Sequence, residues 1–194
     1  MTHKLTVSSP HSLQPWQRGW LAAFERYAAR YPAEHAVISL FADFAATHAD
    51  AAERGLALGH LTGSAWLVSA DGTRVLLTHH RKLDRWLQLG GHADGDVDLA
   101  RVALREAEEE SGLTGLVVEA EIFDLDRHEI PARRNEPVHW HYDVRHVVRA
   151  SGDEAYVVGD ESHALEWRDV ATLAADESAD ASLRRMAQKW LSLR

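Results

Sequence analysis

The sequence predicts an α/β protein in which a mixed sheet carries helices on both sides and is preceded by an N-terminal helical hairpin. Three patterns lead there. Apolar residues recur at helical spacing before residue 48, short alternating apolar segments broken by glycine turns fill the middle, and two further amphipathic helical patterns follow.

Residues 1–11 are polar and carry no periodic signal, so the start of the chain reads as loose. Leu13, Trp16, Trp20 with Leu21, Phe24 and Tyr27 then recur at three- and four-residue steps, predicting a helix that ends near Pro32. A second helix is expected over 34–47, with Val37, Leu40, Phe41 and Phe44 on its face; the aromatic stripe reads as core. Alternation after Gly63 gives a β-hairpin: Ala65 to Val68, a turn at Asp71-Gly72, then Val75 to Leu77. A short strand over 86–89 delivers the chain into Gly90-Gly91, where bare backbone permits a tight turn or a close approach.

Residues 98–111 read as a helix, with Leu99, Val102, Ala103 and Ala107 on one face, Asp96 or Asp98 as cap and Gly112 as stop. Beyond it, 116–125 is expected as a strand and 126–137 as a charged loop containing Pro131, Arg133, Arg134 and Glu136. Residues 138–148 alternate well, and Val138, Trp140, Tyr142, Val144, His146 and Val148 mark the buried side, leaving His139, His141, Asp143 and Arg145 opposite. A turn and short strand over 152–159, a brief strand over 164–167 and a closing helix over 180–193 complete the order. This gives an extension over 1–60, packed on a main domain over 61–194.

Composition narrows the function. With 194 residues and 45% hydrophobic content the chain suits one good-sized domain, or one with an appended helical piece. The formal net charge is −9, from 30 acids against 21 Lys and Arg, so a nucleic acid polymer gains no general attraction and a phosphorylated small molecule would need a local cation. The absence of cysteine excludes disulfides, thiolate metal sites and a cysteine nucleophile. With no long apolar run and no leader pattern, the expectation is a cytoplasmic protein without a membrane partner, monomeric or homodimeric.

The acids of the middle helix are unusual in their placement. At about 100° per residue, Glu106 and Glu110 project within about 40° of Leu99, on the face the helix buries. Glu109 lies to one side, and Glu108 points away towards Arg101 and Arg105. Inward acids one turn apart repel unless water, arginines from elsewhere or a cation offset them. Carboxylate oxygens are natural ligands of Mg²⁺ or Mn²⁺. Asp94, Asp96 and Asp98 resemble the start of a calcium loop, but Leu99 and Arg105 stand where that loop needs glycine and glutamate. Phosphate-loop, dinucleotide-fingerprint and helix-borne zinc motifs are absent, and His139 and His141 read as pocket-lining or surface imidazoles.

The run Arg105-Glu106-Ala107-Glu108-Glu109-Glu110-Ser111-Gly112-Leu113, with Gly91 upstream, resembles the signature of the Nudix hydrolase family. The resemblance implies a Nudix-like α/β/α sandwich and covers about residues 60–194. Gly90 to Gly95 is similar to a subgroup whose turn reads GGHxDG, and the first motif glutamate is replaced by Val97, between Asp96 and Asp98. Asp94 or Asp96 is a candidate substitute. Carried over by position, the resemblance makes Glu106, Glu109 and Glu110 metal ligands together with the Gly91 carbonyl, and gives Glu109 or Glu106 a part in activating water. Arg105 would hold the loop against the helix. A later acid often acts as base or ligand in the family; Glu161 is the first choice here, ahead of Glu129, Glu136 and Asp143.

The implied cofactor is Mg²⁺, with Mn²⁺ possible. The implied reaction is hydrolysis of a phosphoanhydride in a nucleoside diphosphate derivative or nucleoside triphosphate. Arg81, Lys82 and Arg85 suit phosphate oxygens, and Trp86 or Trp140 suits stacking on a base. An isoprenoid diphosphate isomerase on the same scaffold would need the cysteine this chain lacks. A non-catalytic nucleotide- or metabolite-binding domain is the alternative that Val97 leaves open.

Overall fold

The computed structural model describes residues 13–133 and 136–194. The polar start over 1–11 and Arg134 lie outside the described residues.

Helix α1 (Pro15–Arg30) opens with proline at its first position and a reciprocal Gln14/Gln17 cap, which occupies donors the first turn leaves free. It turns at Pro32–Glu34 into α2 (His35–Thr47). The aromatic stripe is core: Phe24 meets Phe41 edge-on at 5.8 Å, and Phe44 stacks on Tyr142 of the sheet at 4.0 Å. The helical hairpin thus shares one apolar cluster with the sheet.

Among the described residues seven strands form one mixed sheet: β1 (Gly59–Val68), β2 (Arg74–His80), β3 (Arg85–Leu87), β4 (Leu89–His92), β5 (Val117–Ile130), β6 (His139–Arg149) and β7 (Ser162–Asp169). The path runs β3-β2-β1-β6-β5, with β4 also paired to β1 and β7 to β2. β1 and β6 run parallel from Gly59↔Trp140 to Val68↔Arg149, and β1 is buried along its whole length. Side-chain alternation sends Leu61, Ala65 and Leu67 towards α1, α2 and α3 (Leu99–Ser111). Trp66 and Val68 go to the other face, towards α4 (Val170–Ala175) and α5 (Ala181–Ser192). α3 can lie directly on β1 because Gly63 has no side chain: a Cβ there would stand 2.8 Å from Val102 Cγ1 and 2.9 Å from the Leu99 carbonyl.

Several expectations need correction. The charged segment after Leu125 continues as strand to Ile130, with register Asp126↔Asp143 through Ile130↔His139, so alternating charges extend the strand instead of ending it. Residues 138–148 were expected to bury one face, yet Asp143 and Arg145 are each 2% exposed: Arg145 lies against Met186 of the closing helix, and Asp143 accepts from Thr62, Ser64 and Arg145. Residues 152–159 form no strand: Glu154 ties this stretch to Arg74 and to the Ala70 N–H instead. β7 is longer than the expected 164–167, and the short α4 carried no expectation.

The buried charges satisfy one another. Asp124, fully buried, accepts from Arg145 (3.1 Å), Arg185 (2.7 Å) and Lys189 (2.8 Å). Lys189 also reaches Glu34 and the Tyr27 hydroxyl, so the network joins α5, the sheet and the N-terminal hairpin. Burial works to raise the Asp124 carboxyl, but Arg185, Arg145 and Lys189 hold it below the usual carboxylate range. Asp126 is likewise held well down by His128, Arg145 and Arg185 against its own burial.

Removing one charge from such a network strands its partners. Asp124→Asn should cost about 3–5 kcal/mol in urea denaturation at pH 7. Because the folded carboxyls sit below their unfolded values, their contribution is present above about pH 4 and is lost as pH falls through the folded values. The gap between wild type and Asp124→Asn should therefore narrow below about pH 4, read from urea midpoints across an acid series.

Candidate active site

α3 is built to bring acids against backbone. Asp98 caps it by accepting the Arg101 N–H at 3.1 Å, and Gly112 ends it in the left-handed conformation, φ 69°. With Leu99, Val102, Ala103 and Ala107 buried, Glu106 and Glu110 one turn apart project from the edge of the packed face towards β4. Glu110 accepts the Gly90 N–H at 2.8 Å. The Glu106 carboxylate lies so close over Gly91 that any Cβ there would collide with it. Arg105 donates to Glu106 (2.8 Å) and to the His92 carbonyl (2.9 Å), fastening the β4 end to the helix.

These surroundings make the acids costly to ionise. Burial pushes the Glu110 carboxyl up to about 7; the Gly90 N–H opposes this, and Glu106, Glu161 and Glu109 add to it. Burial also raises Glu106, against the pull of Arg105. Glu109 is exposed beside the pair.

Of the later acids, Glu161 is exposed but close enough for its charge to act on Glu110. Its carbonyl accepts the Arg81 N–H at 3.0 Å, and the Arg81 guanidinium donates to the Ser162 carbonyl at 2.9 Å, so these two candidates share one corner. Glu129 is exposed on β5, Glu136 pairs with Arg54 at 2.8 Å, and Asp143 is buried, accepting from Thr62, Ser64 and Arg145.

The other predicted contacts scatter. Lys82 is exposed in the β2–β3 turn, and Arg85 approaches Asp180 at 3.9 Å. Trp86 stacks on His79 at 5.2 Å with the Arg168 guanidinium 4.5 Å from its ring. Trp140 packs with the α1–α2 cluster and carries the Arg127 guanidinium 3.6 Å from its ring, so one face already has a cation on it.

Val97 has a structural partner. Its side chain packs against the α1–α2 cluster and its carbonyl accepts the Trp20 indole N–H at 2.9 Å. Asp96 does not stand in for the missing glutamate at Arg105; it pairs with Arg101 and accepts the Asp98 N–H.

One group escaped the sequence reading. His60, His92, His139 and His141 pack ring to ring, with His60 against each of the others at 4.7–5.2 Å. His139 and His141 were visible as a pair on one side of a strand. His60 and His92 join them only through the registers His60↔His141 and Thr62↔His92, which periodicity within a segment does not disclose.

A family model described as the NUDIX domain matches residues 60–190. The same fold appears in a NUDIX-family hydrolase from Clostridium perfringens, 24% identical over 69% of this chain and 97% of that one, with a TM-score of 0.54. A MutT protein from Methanosarcina mazei Go1 is 18% identical over 70% and 94% of the two chains, TM-score 0.55. The dihydroneopterin triphosphate pyrophosphohydrolase of E. coli is 17% identical over 69% and 96%, TM-score 0.53. No curated protein sequence matches the chain. The family match begins within β1 and spans the carboxylate helix, the glycine strand and both sheet faces: the chain belongs to the NUDIX family.

Proposed function

We propose that the protein hydrolyses a phosphoanhydride bond in a nucleoside diphosphate derivative or nucleoside triphosphate, with Mg²⁺ or Mn²⁺ as cofactor. The observation that carries this reading is the convergence of Glu106 and Glu110 on the bare backbone of Gly90 and Gly91, beside exposed Glu109. The donors fit a hard divalent cation: they are oxygens only, no Cβ intrudes, and burial has already made two carboxyls costly to ionise without a counter-charge. Glu106, Glu109, Glu110 and the Gly91 carbonyl would hold it. When bound, the ion lowers the pKa of water and neutralises phosphate oxygens.

The chain's own residues supply position and charge. Arg105 keeps Glu106 and the β4 end in fixed relation, and the Gly90 N–H fixes Glu110. Glu109 and Glu161, both exposed, are the groups free to take a proton from attacking water. Arg81, anchored through Ser162, supports a non-bridging phosphate oxygen, while Lys82 and Arg85 add positive charge at the same turn. Trp86 lies on β3 beside that turn, where a base would have to compete with His79 and Arg168 for its ring. The division into an extension over 1–60 and a hydrolase domain over 61–194 belongs to this reading. No helix of the described residues is long and apolar enough to cross a membrane.

A panel of nucleoside triphosphates and nucleoside diphosphate derivatives, assayed for phosphate release with and without Mg²⁺ or Mn²⁺, tests the reading. Metal-dependent turnover of at least one is expected. Glu110→Gln should lower kcat/KM more than about 100-fold while leaving the melting transition cooperative; near-normal rates at saturating magnesium would remove Glu110 from the site.

The same substitution should act oppositely on stability. With a folded value near 7 against about 4.3 unfolded, the Glu110 carboxyl favours folding fully below the unfolded value and loses that contribution as pH rises through 7. In EDTA, Glu110→Gln should therefore exceed wild type by about 2–3 kcal/mol at pH 8 and match it near pH 4, as read from denaturation midpoints.

A further inference from the structure

His60 is 2% exposed, and neither of its ring nitrogens meets a hydrogen-bond partner among the described residues. An unpaired buried polar group costs about 1–3 kcal/mol, so a ring placed this way needs a reason. Its neighbours are other imidazoles: the centroids of His141, His92 and His139 lie 4.7, 5.1 and 5.2 Å away. One nitrogen from each of His60, His92 and His141 falls within 4.8 Å of the others. Nε2 of His141 is also buried without a partner.

Packing alone explains this poorly. Aliphatic side chains would fill the space without stranding nitrogens, and protonated rings at these distances would repel. A neutral imidazole carries a lone pair on one ring nitrogen, and His60 and His141 each present a buried nitrogen with no partner among the described residues. The neighbouring His139 donates its Nδ1–H to the Pro137 carbonyl at 2.9 Å, which leaves Nε2 as its lone-pair nitrogen.

We propose that His60, His92 and His141 form a binding site for a first-row transition-metal ion of the zinc type, with the His139 ring packed beside them and water free to complete the coordination. Imidazole selects such ions, whereas Mg²⁺ and Mn²⁺ prefer oxygen, so this site is chemically distinct from the carboxylates. Tetrahedral zinc places its nitrogens about 3.3 Å apart; closing in from 4.8 Å asks for modest side-chain rotation. The two sites lie on opposite sides of β4. Gly91 faces α3, and the next residue, His92, sends its ring to the cluster while its carbonyl accepts Arg105. An ion held by the imidazoles would join β1, β4 and β6 at that end of the sheet.

The test uses tag-free full-length protein carrying Glu106→Gln and Glu110→Gln, so that metal at the carboxylates does not confuse the count and the outcome is independent of hydrolysis. After chelator stripping it is titrated with Zn²⁺ and, separately, with Co²⁺. Expected are one tight zinc equivalent, the intense visible absorption of four-coordinate cobalt and a zinc-dependent rise in Tm. On that background His60→Phe should weaken zinc binding more than about 100-fold. Because a buried replacement can disturb folding, half-buried His92→Ala is measured beside it, each with a thermal melt. Absence of a zinc equivalent in the double-Gln protein overturns the proposal, as does unchanged affinity in a cooperatively melting His92→Ala variant.

Discussion

The site depends on one close approach: two carboxylates from a single helix face pressed onto backbone that has no side chains. Glu106 can lie over Gly91 because that residue is glycine, Gly90 lies close against Ser64 of β1 while its N–H holds Glu110, and α3 sits directly on β1 through Gly63. A Cβ at Gly63 would press the helix outwards, and one at Gly91 would displace the Glu106 carboxylate itself. Burial then raises both carboxyls, so ionising them here carries an electrostatic cost that a divalent ion would relieve. Such strain is expected of a site kept for chemistry.

The N-terminal hairpin is part of this arrangement. The loop entering α3 is held by the Trp20 indole on the Val97 carbonyl and by the packing of Val97 against the α1–α2 cluster. An acid at position 97 would have to be buried among aromatic side chains, so valine is the compatible residue once α1 covers that loop. Arg105, without a motif glutamate at that position, spends its donors on Glu106 and the His92 carbonyl. The loop is held here by Trp20 of α1 on the Val97 carbonyl and by Arg105 on Glu106 and the His92 carbonyl.

Local patterns were legible where the cause is local. The face of α3, its cap at Asp98 and its stop at Gly112 follow from spacing and from the residue types that tolerate those conformations. The first hairpin and α5 were readable for the same reason. What could not be read is set by partners distant in sequence. Asp126 to Ile130 looks like loop until β6 pairs with it, and Asp143 and Arg145 look solvent-facing until α5 brings Arg185 and Lys189 to the shared acids. The inward glutamates were visible, but the predicted substrate contacts dispersed, because Trp140 was placed by periodicity while its outer face was decided by Arg127 across a strand pair.

The pleat of β4 finally explains how two donor chemistries coexist in so small a space. Adjacent strand residues point to opposite faces, so a step of one residue from Gly91 to His92 passes from oxygen donors under α3 to imidazoles on the far side. Register carries the separation across neighbouring strands: His60 and His141 are paired across β1 and β6 and therefore project together, as do Thr62 and His92. A slip of one residue between β1 and β4 would turn His92 towards the glutamates and Gly91 towards the imidazoles, dismantling both clusters at once. The parallel pairing with β6, continuous along the full length of β1, is what fixes that strand in place and keeps the two chemistries apart.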